Sequence, residues 1–465
     1  MTTGVLPGEP IDVPMKYHVQ DNGYYCSAAC AQMVLRSIGA AIFDQGDLDT
    51  DIRDGTAPDP VGWRGGPDGM ELAMRRRNPP GRSKNFAAID VRAQPTLERN
   101  IVWALCDPGV ASLVPVFQNF HWVAVSGCVV DRKPARYDDN YDVIGFLINN
   151  PQPEIKLHIP RPHNDGDDCG RLDGLGLFDG LRWIDQQTWR NDYLIKVPKG
   201  KWAEKYVAVI DPDDTFGGPP MDDPEPDALH DAGSDREHGI ELTPDDAVRW
   251  AISGLKQRRL DRIEPWKSAI GGQLDDLRTG EAYLVERLDI PDQYYYLVLI
   301  ETPAGGRPVA VTVGAASGEF RESAAVPDPT GVALPDISYQ AVLNRLQRNH
   351  GFHKVLTDDS GSSGGNGPQP EHGWHSERVY LGEDAARLHP YPLWEPHLVW
   401  RPCLQSSSPF HPFYLFEAAG KSLYIRVDLV GPGYAQEDKY AEVVGFTGMD
   451  TVLGFTDLDY ETTGA

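Results

Sequence analysis

The chain has 465 residues, 40% of them hydrophobic and 24% charged, a composition typical of a soluble globular protein too long for one ordinary core. Its 43 Lys and Arg face 69 Asp and Glu, a formal net charge of -26. That charge disfavours a nucleic-acid partner and leaves basic or neutral polypeptides as the easier ones. No apolar run approaches the roughly 18 residues of a membrane span, and no secretory signal pattern opens the chain. Six cysteines at 26, 30, 106, 128, 169 and 403 follow no regular framework, which fits free thiols in a reducing cytoplasm.

Residues 27–38 read as a helix, because Cys30, Met33, Val34 and Ile38 recur at spacings of three and four and Gly39 supplies a stop. Cys26 then stands at the helix N-terminus. A second helix is expected after Asp68, with Asp68 as its cap and Glu71 completing a capping-box-like pair. A third carries Leu97, Ile101 and Leu105 on one face and stops at Asp107-Pro108-Gly109. Strands are expected at 110–117, 121–130, 141–149, 193–197 and 205–210, where Val, Ile and Phe concentrate.

From 211 to 237 the chain is dense in Asp, Glu, Pro and Gly, with too few apolar residues to offset the entropy of ordering. This divides the chain into an N-terminal domain over 1–212, an acidic linker over 213–240 and a C-terminal α+β region over 241–465. In that last region, Thr243-Pro244-Asp245-Asp246 marks a helix start. A hairpin is expected from 294–300 and 309–313, a helix near 336–348, and a second hairpin from 413–416 and 423–427 across Gly420. Residues 358–370, made of Ser, Gly, Asn, Asp, Gln and Pro, read as a flexible insert.

The chemistry concentrates in the first 212 residues. A thiol attacks a carbonyl only as the thiolate, and a helix N-terminus with an imidazole nearby favours that form. Cys26 has the helix; His121, at the start of an apolar strand, can supply the imidazole as general acid and base. A histidine in this role needs a partner on its second ring nitrogen, and Asn150, before Pro151, offers a side-chain carbonyl. Asn149 is the alternative, since strand alternation turns neighbours to opposite faces. Gln20, six residues before the cysteine, can donate its amide to an oxyanion together with the Cys26 backbone N–H.

Gln20-x5-Cys26 opening a helix, His121-Trp122-Val-Ala-Val-x-Gly on a strand and Asn150-Pro151 ending the next strand resemble the papain-like cysteine peptidases. Within them the pattern is most similar to the bacterial double-glycine leader peptidase domains. The resemblance covers about residues 12–212. It implies an α+β fold in which the nucleophile helix packs on an antiparallel sheet carrying the histidine, and cleavage of a peptide or isopeptide bond by Cys26, His121, Asn150 and Gln20. The chain departs from that branch in having Asn rather than Asp before the proline and Ser27 rather than Gly after the nucleophile.

The same site can transfer its acyl group to an amine, as in an acyltransferase or transglutaminase-like enzyme, and a decayed peptidase fold can serve as a scaffold. A polypeptide substrate is expected, with a protein partner through the C-terminal region, and no cofactor, metal, nucleic acid or membrane. Cys26-x3-Cys30 with His121-x6-Cys128 matches no common zinc site. Asp138, Asp139, Asn140 and Asp142 lack the glycine and final Glu of a calcium loop. The Arg75-Arg76-Arg77 run reads as a solvated helix end rather than a docking patch.

Overall fold

In the computed structural model, the described residues are 8–21, 25–58, 63–82, 86–117, 121–134, 140–151, 180–194, 196–211, 238–271, 274–277, 280–302, 308–325, 337–339, 398–400, 408–418, 421–427 and 444–445. The elements are, in order, β1 (Glu9–Asp12), α1 (Cys26–Ser37), α2 (Gln45–Gly55), α3 (Pro67–Arg77), β2 (Ala87–Val91), α4 (Gln94–Cys106), β3 (Ser112–Val116), β4 (His121–Val130), β5 (Val143–Asn150), β6 (Gly180–Asp185), α5 (Gln186–Thr188), β7 (Tyr206–Ile210), α6 (Pro244–Gln257), α7 (Trp266–Ile270), β8 (Gly280–Arg287), β9 (Tyr294–Ile300), β10 (Val309–Gly314), β11 (Phe320–Ala325), β12 (Leu398–Trp400), β13 (Phe413–Ala418), β14 (Lys421–Arg426) and β15 (Val444–Gly445). The fold is mixed α+β with a large sheet. Among the described residues no helix is long and apolar enough to cross a membrane.

The chain divides into two compact units, one of Met1–Leu284, Asp292–Leu334 and Asp459–Ala465, the other of Val285–Pro291 and Pro335–Leu458. In the first, the strands run β8-β9-β10-β11-β6-β5-β4-β3-β7-β2, with β1 added to β4. The pairings from β9 to β2 are antiparallel throughout. Alternation along the strands divides the apolar side chains between two faces. One face presents Val123, Val125, Phe146, Ile148 and Ile184, packed with Leu97, Ile101 and Leu105 of α4 and with Trp189 and Tyr193. On the other, Trp122 and Ala124 lie under α1, α2 and α3, while Leu147 and Trp183 join the layer formed with α6 and α7.

The second unit contains Val285–Arg287 of β8, to which β12 pairs in parallel, with Leu398 opposite Val285. β12 continues antiparallel to β13. β13 and β14 form the expected hairpin, in register from Phe413 opposite Arg426 to Ala418 opposite Lys421. The Tyr414 hydroxyl donates to the Ile337 carbonyl at 2.8 Å.

Several elements differ from the sequence reading. α3 begins at Pro67, with Gly66 as its cap residue and no side-chain cap. Gly66 at the cap position has no side chain to accept from the first turn, and Asp68 and Glu71 take other partners. Asp68 takes Lys201 at 2.8 Å, and Glu71 accepts from the Ala88 N–H at 2.9 Å. The described residues of the strand expected at 193–197 form none. Trp189–Tyr193 forms a π-helical turn, closed by the Leu194 N–H donating to the Trp189 carbonyl at 2.8 Å, and the Trp189 and Tyr193 rings stack at 6.0 Å. The strand of that region is β6, and α2, with Leu48 and Ile52 as its only buried large apolar residues, was not expected.

The first compact unit continues past 212, and Asp211, with which the acidic run opens, is buried and ion-paired to Arg82 at 2.9 Å. β6 pairs with β11, which carries the same unit past 300. Residues 212–237, the insert at 358–370 and most of the helix expected near 336–348 lie outside the described residues. α6 is as expected: Thr243 and Asp246 form a reciprocal capping box with Pro244 at the first position.

The arginine run at the end of α3 is engaged within the fold. Arg76 and Arg77 both pair with Asp51, at 3.2 and 2.6 Å, and Arg75 pairs with Glu71 at 2.9 Å.

Candidate active site

Cys26 is the first residue of α1, and the helix buries Ala28, Ala29, Cys30, Ala31, Met33, Val34 and Leu35. The small residues at 28, 29 and 31 let the helix lie close on the sheet. The Cys30 thiol donates to the Trp122 carbonyl at 3.3 Å, pinning the first turn of α1 to the start of β4. At the top of that turn the backbone N–H groups of Trp122, Ser27 and Cys26 itself favour the Cys26 thiolate. Trp122 donates its indole N–H to Gly65 at 3.0 Å. The nucleophile candidate therefore sits beside the peptide joining His121 to Trp122, and Cys26 keeps partial exposure.

His121 is the first residue of β4 and is 6% exposed. Register explains its partner. Ala124 pairs with Asn149, so Val123 lies opposite Asn150, and His121, two residues before Val123 and on its face, is the diagonal neighbour of Asn150. The two side chains meet at 2.7 Å, His121 Nε2 to Asn150 Oδ1. A carbonyl acceptor at Nε2 puts the ring proton there and leaves the lone pair on Nδ1. Asn149 points to the other face and donates to the Ser126 hydroxyl at 2.8 Å, which separates the two asparagines.

Gln20 is buried, and its backbone N–H donates to the Pro151 carbonyl at 2.7 Å. Tyr17 donates its hydroxyl to the Asn150 carbonyl at 2.7 Å. The segment before α1 is thus strapped across the end of β5. Three of the four residues selected from the sequence are linked, with Gln20 on the strap, Asn150 beneath it and His121 bonded to Asn150, while Cys26 approaches the backbone of Trp122, the residue after His121.

Sequence reasoning missed Asp49. It is buried on α2, paired with Arg53 at 2.9 Å and Arg64 at 3.2 Å, and its charge disfavours the Cys26 thiolate. Only the placement of α2 against α1 brings it near. Arg64 also lies over the Tyr25 ring at 5.9 Å. Among the described residues no group of three or more His, Cys, Asp and Glu side chains could hold a metal ion.

Burial dominates the titration of Cys26 and His121. It pushes the Cys26 thiol up to about 11, against the pull of the Trp122, Ser27 and Cys26 amides. It pushes His121 down to about 4; the bond to Asn150 opposes this shift and the charge of Arg182 adds to it. Burial thus favours the neutral thiol at Cys26 and the neutral imidazole at His121.

His18 is likewise held at about 4 by burial and by Arg36 and Lys16. The unfolded chain protonates these imidazoles below about 6.5 while the folded chain resists until about 4. Their contribution is therefore complete above pH 6.5 and lost as pH falls toward 4, by about 3 kcal/mol each. The raised thiol lowers stability only as pH climbs from about 9 toward 11. Urea-unfolding midpoints should fall between pH 7 and 4.5, and His121→Gln should lose part of that acid limb; an unchanged limb in the variant contradicts the neutral-imidazole assignment.

Comparison with protein-family models, with curated proteins and with solved structures finds no match for this chain.

Proposed function

We propose that the protein is a papain-like cysteine peptidase that hydrolyses a peptide or isopeptide bond in a polypeptide substrate in the cytoplasm. The observation that carries this reading is the 2.7 Å bond from His121 Nε2 to Asn150 Oδ1, together with a helix-terminal cysteine whose thiolate is favoured by the Trp122 backbone N–H. A hydrogen-bonded imidazole, fixed in the tautomer that leaves Nδ1 basic, is what a thiol nucleophile requires. The packing of α1 on the antiparallel sheet that carries His121 supports the same reading.

In the proposed reaction Cys26 Sγ bonds to the substrate carbonyl carbon while its proton passes to His121 Nδ1. The oxyanion is met by the Cys26 backbone N–H and the Gln20 side-chain amide. Collapse breaks the C–N bond, and His121 returns the proton to the departing amine. Water, deprotonated by His121, then attacks the thioester, releasing the acid and restoring the thiol. Asn150 holds the imidazole plane throughout.

Digestion of a diverse peptide mixture, read by mass spectrometry with and without an added amine, tests the reaction: new C-terminal carboxylates support hydrolysis, amine adducts indicate acyl transfer, and no Cys26-dependent product rejects both. The asparagines separate in the same assay. Asn150→Ala should lower kcat by about 10²-fold, within the range for a positioned general base. Asn149→Ala should cost about 1 kcal/mol of stability through its lost bond to Ser126 and leave kcat nearly unchanged.

A further inference from the structure

The face of the sheet that carries His121 and Asn150 is otherwise apolar, yet the diagonal continues. Asn150 pairs with Gly180 and Ile148 with Arg182, so Arg182 is related to Asn150 as Asn150 is to His121. Arg182 pairs in turn with Ala324, and Ile184 with Glu322, which places Glu322 one further diagonal step along. One step per strand takes His121, Asn150, Arg182 and Glu322 across β4, β5, β6 and β11 on one face. They are 6%, 1%, 1% and 3% exposed, among Phe146, Ile148 and Ile184. The Tyr193 hydroxyl donates to Glu322 Oε2 at 2.9 Å, and the charges of both Glu322 and Arg182 are felt at Tyr193.

We propose that Arg182 and Glu322 are positioning residues of the active site, forming with His121 and Asn150 a buried polar diagonal that fixes the imidazole and sets the charge it experiences. The inference rests on the peptidase reading for its purpose, but not for its geometry. Burying an arginine and a carboxylate in an apolar layer costs several kcal/mol unless they are well paired, and an apolar pair would fill the same space more cheaply. The position of the charge gives them a role: a cation two strands from His121 disfavours imidazolium, in the direction found at His121, while Glu322 moderates that cation. Arg182 is the charged group that acts on His121. Val114 and Val116 of β3 and Leu97 and Ile101 of α4 contribute only apolar surface to this layer, and Glu98 of α4 is bound to Arg190 at 2.5 Å.

The test uses the full chain with isotopically labelled histidine, the His121 resonance being assigned by its loss in His121→Gln. Arg182→Met should raise the His121 titration midpoint by about one unit, a tenfold gain in proton affinity. Arg182→Lys should leave the midpoint within about half that shift, and Glu322→Gln should not raise it. If Arg182→Met is too unstable to titrate, the double variant Arg182→Met with Glu322→Met removes both charges together and should still raise the midpoint. An unmoved midpoint in a folded variant lacking Arg182, or an equal rise in Glu322→Gln, overturns the inference. Because no substrate is needed, absent hydrolysis with the expected shifts rejects only the peptidase reading, and hydrolysis with an unmoved midpoint rejects only the diagonal.

Discussion

A chain ending at residue 212 should fail to fold. The cut removes β11, the partner of β6, and with it α6, α7, β9 and β10, which form the layer over Val129, Leu147 and Trp183. Re-exposing those three side chains costs roughly 5 kcal/mol or more, at about 1.5–3 kcal/mol each. The total stability of a domain is only about 5–15 kcal/mol. The cut also strands Arg182 in the middle of β6 without the strand that carries Glu322, and leaves β6 as an unpaired edge open to aggregation. Circular dichroism and thermal melting of the truncated and full chains decide the point: a cooperative melt of the 1–212 fragment near that of the full chain would show that the N-terminal segment is independent after all.

Replacing Cys26 by alanine should remove hydrolysis without weakening the fold. Cys26 is the first residue of α1 and partly exposed, and the backbone N–H groups that favour its thiolate belong to α1 and β4, which hold them in place regardless. Alanine is the better helix former, so the melting temperature should stay within about 1 °C of wild type, a change of about 1 kcal/mol or less for a chain this long. The rate should fall by about 10⁴-fold or more, because no other group nearby can form the thioester. Cys30→Ala gives the matched contrast. Cys30 is fully buried and bonded to the Trp122 carbonyl, so its loss should act mainly on stability, with a smaller effect on kcat through the placement of α1. Equal loss of activity in both variants, or activity surviving in Cys26→Ala, argues against the assignment.

The candidate site was more legible in the sequence than the architecture around it. Cys26, His121 and Asn150 each lie at the end of a regular element whose apolar periodicity announces it, and element ends are where side chains escape the layer they belong to. β4 begins at His121 and α1 at Cys26, and alternation alone favoured Asn150 over Asn149. What could not be read was anything set by pairing across distant strands. Gly-Leu-Arg-Trp-Ile-Asp at 180–185 has an arginine in its centre and does not read as an inner strand. It becomes one only because β5 and β11 flank it and Glu322 arrives from 140 residues away. α2 was hidden by its polarity, since two buried apolar residues give too weak a period to notice. The acidic stretch beginning at Asp211 resembled a domain boundary by composition, but the sheet crosses it, and composition carries no information about which strands pair.

The most direct test of the central claim is covalent. A peptidyl probe with a thiol-directed electrophile, incubated with the full chain at neutral pH, should label a single residue, located at Cys26 by fragment mass spectrometry. Labelling should be lost in Cys26→Ala and slowed strongly in His121→Gln, while Cys30, Cys106 and Cys128 stay unmodified. Equal labelling of the Cys26→Ala chain, or labelling of wild type that is indifferent to His121, would contradict an active thiol–imidazole site.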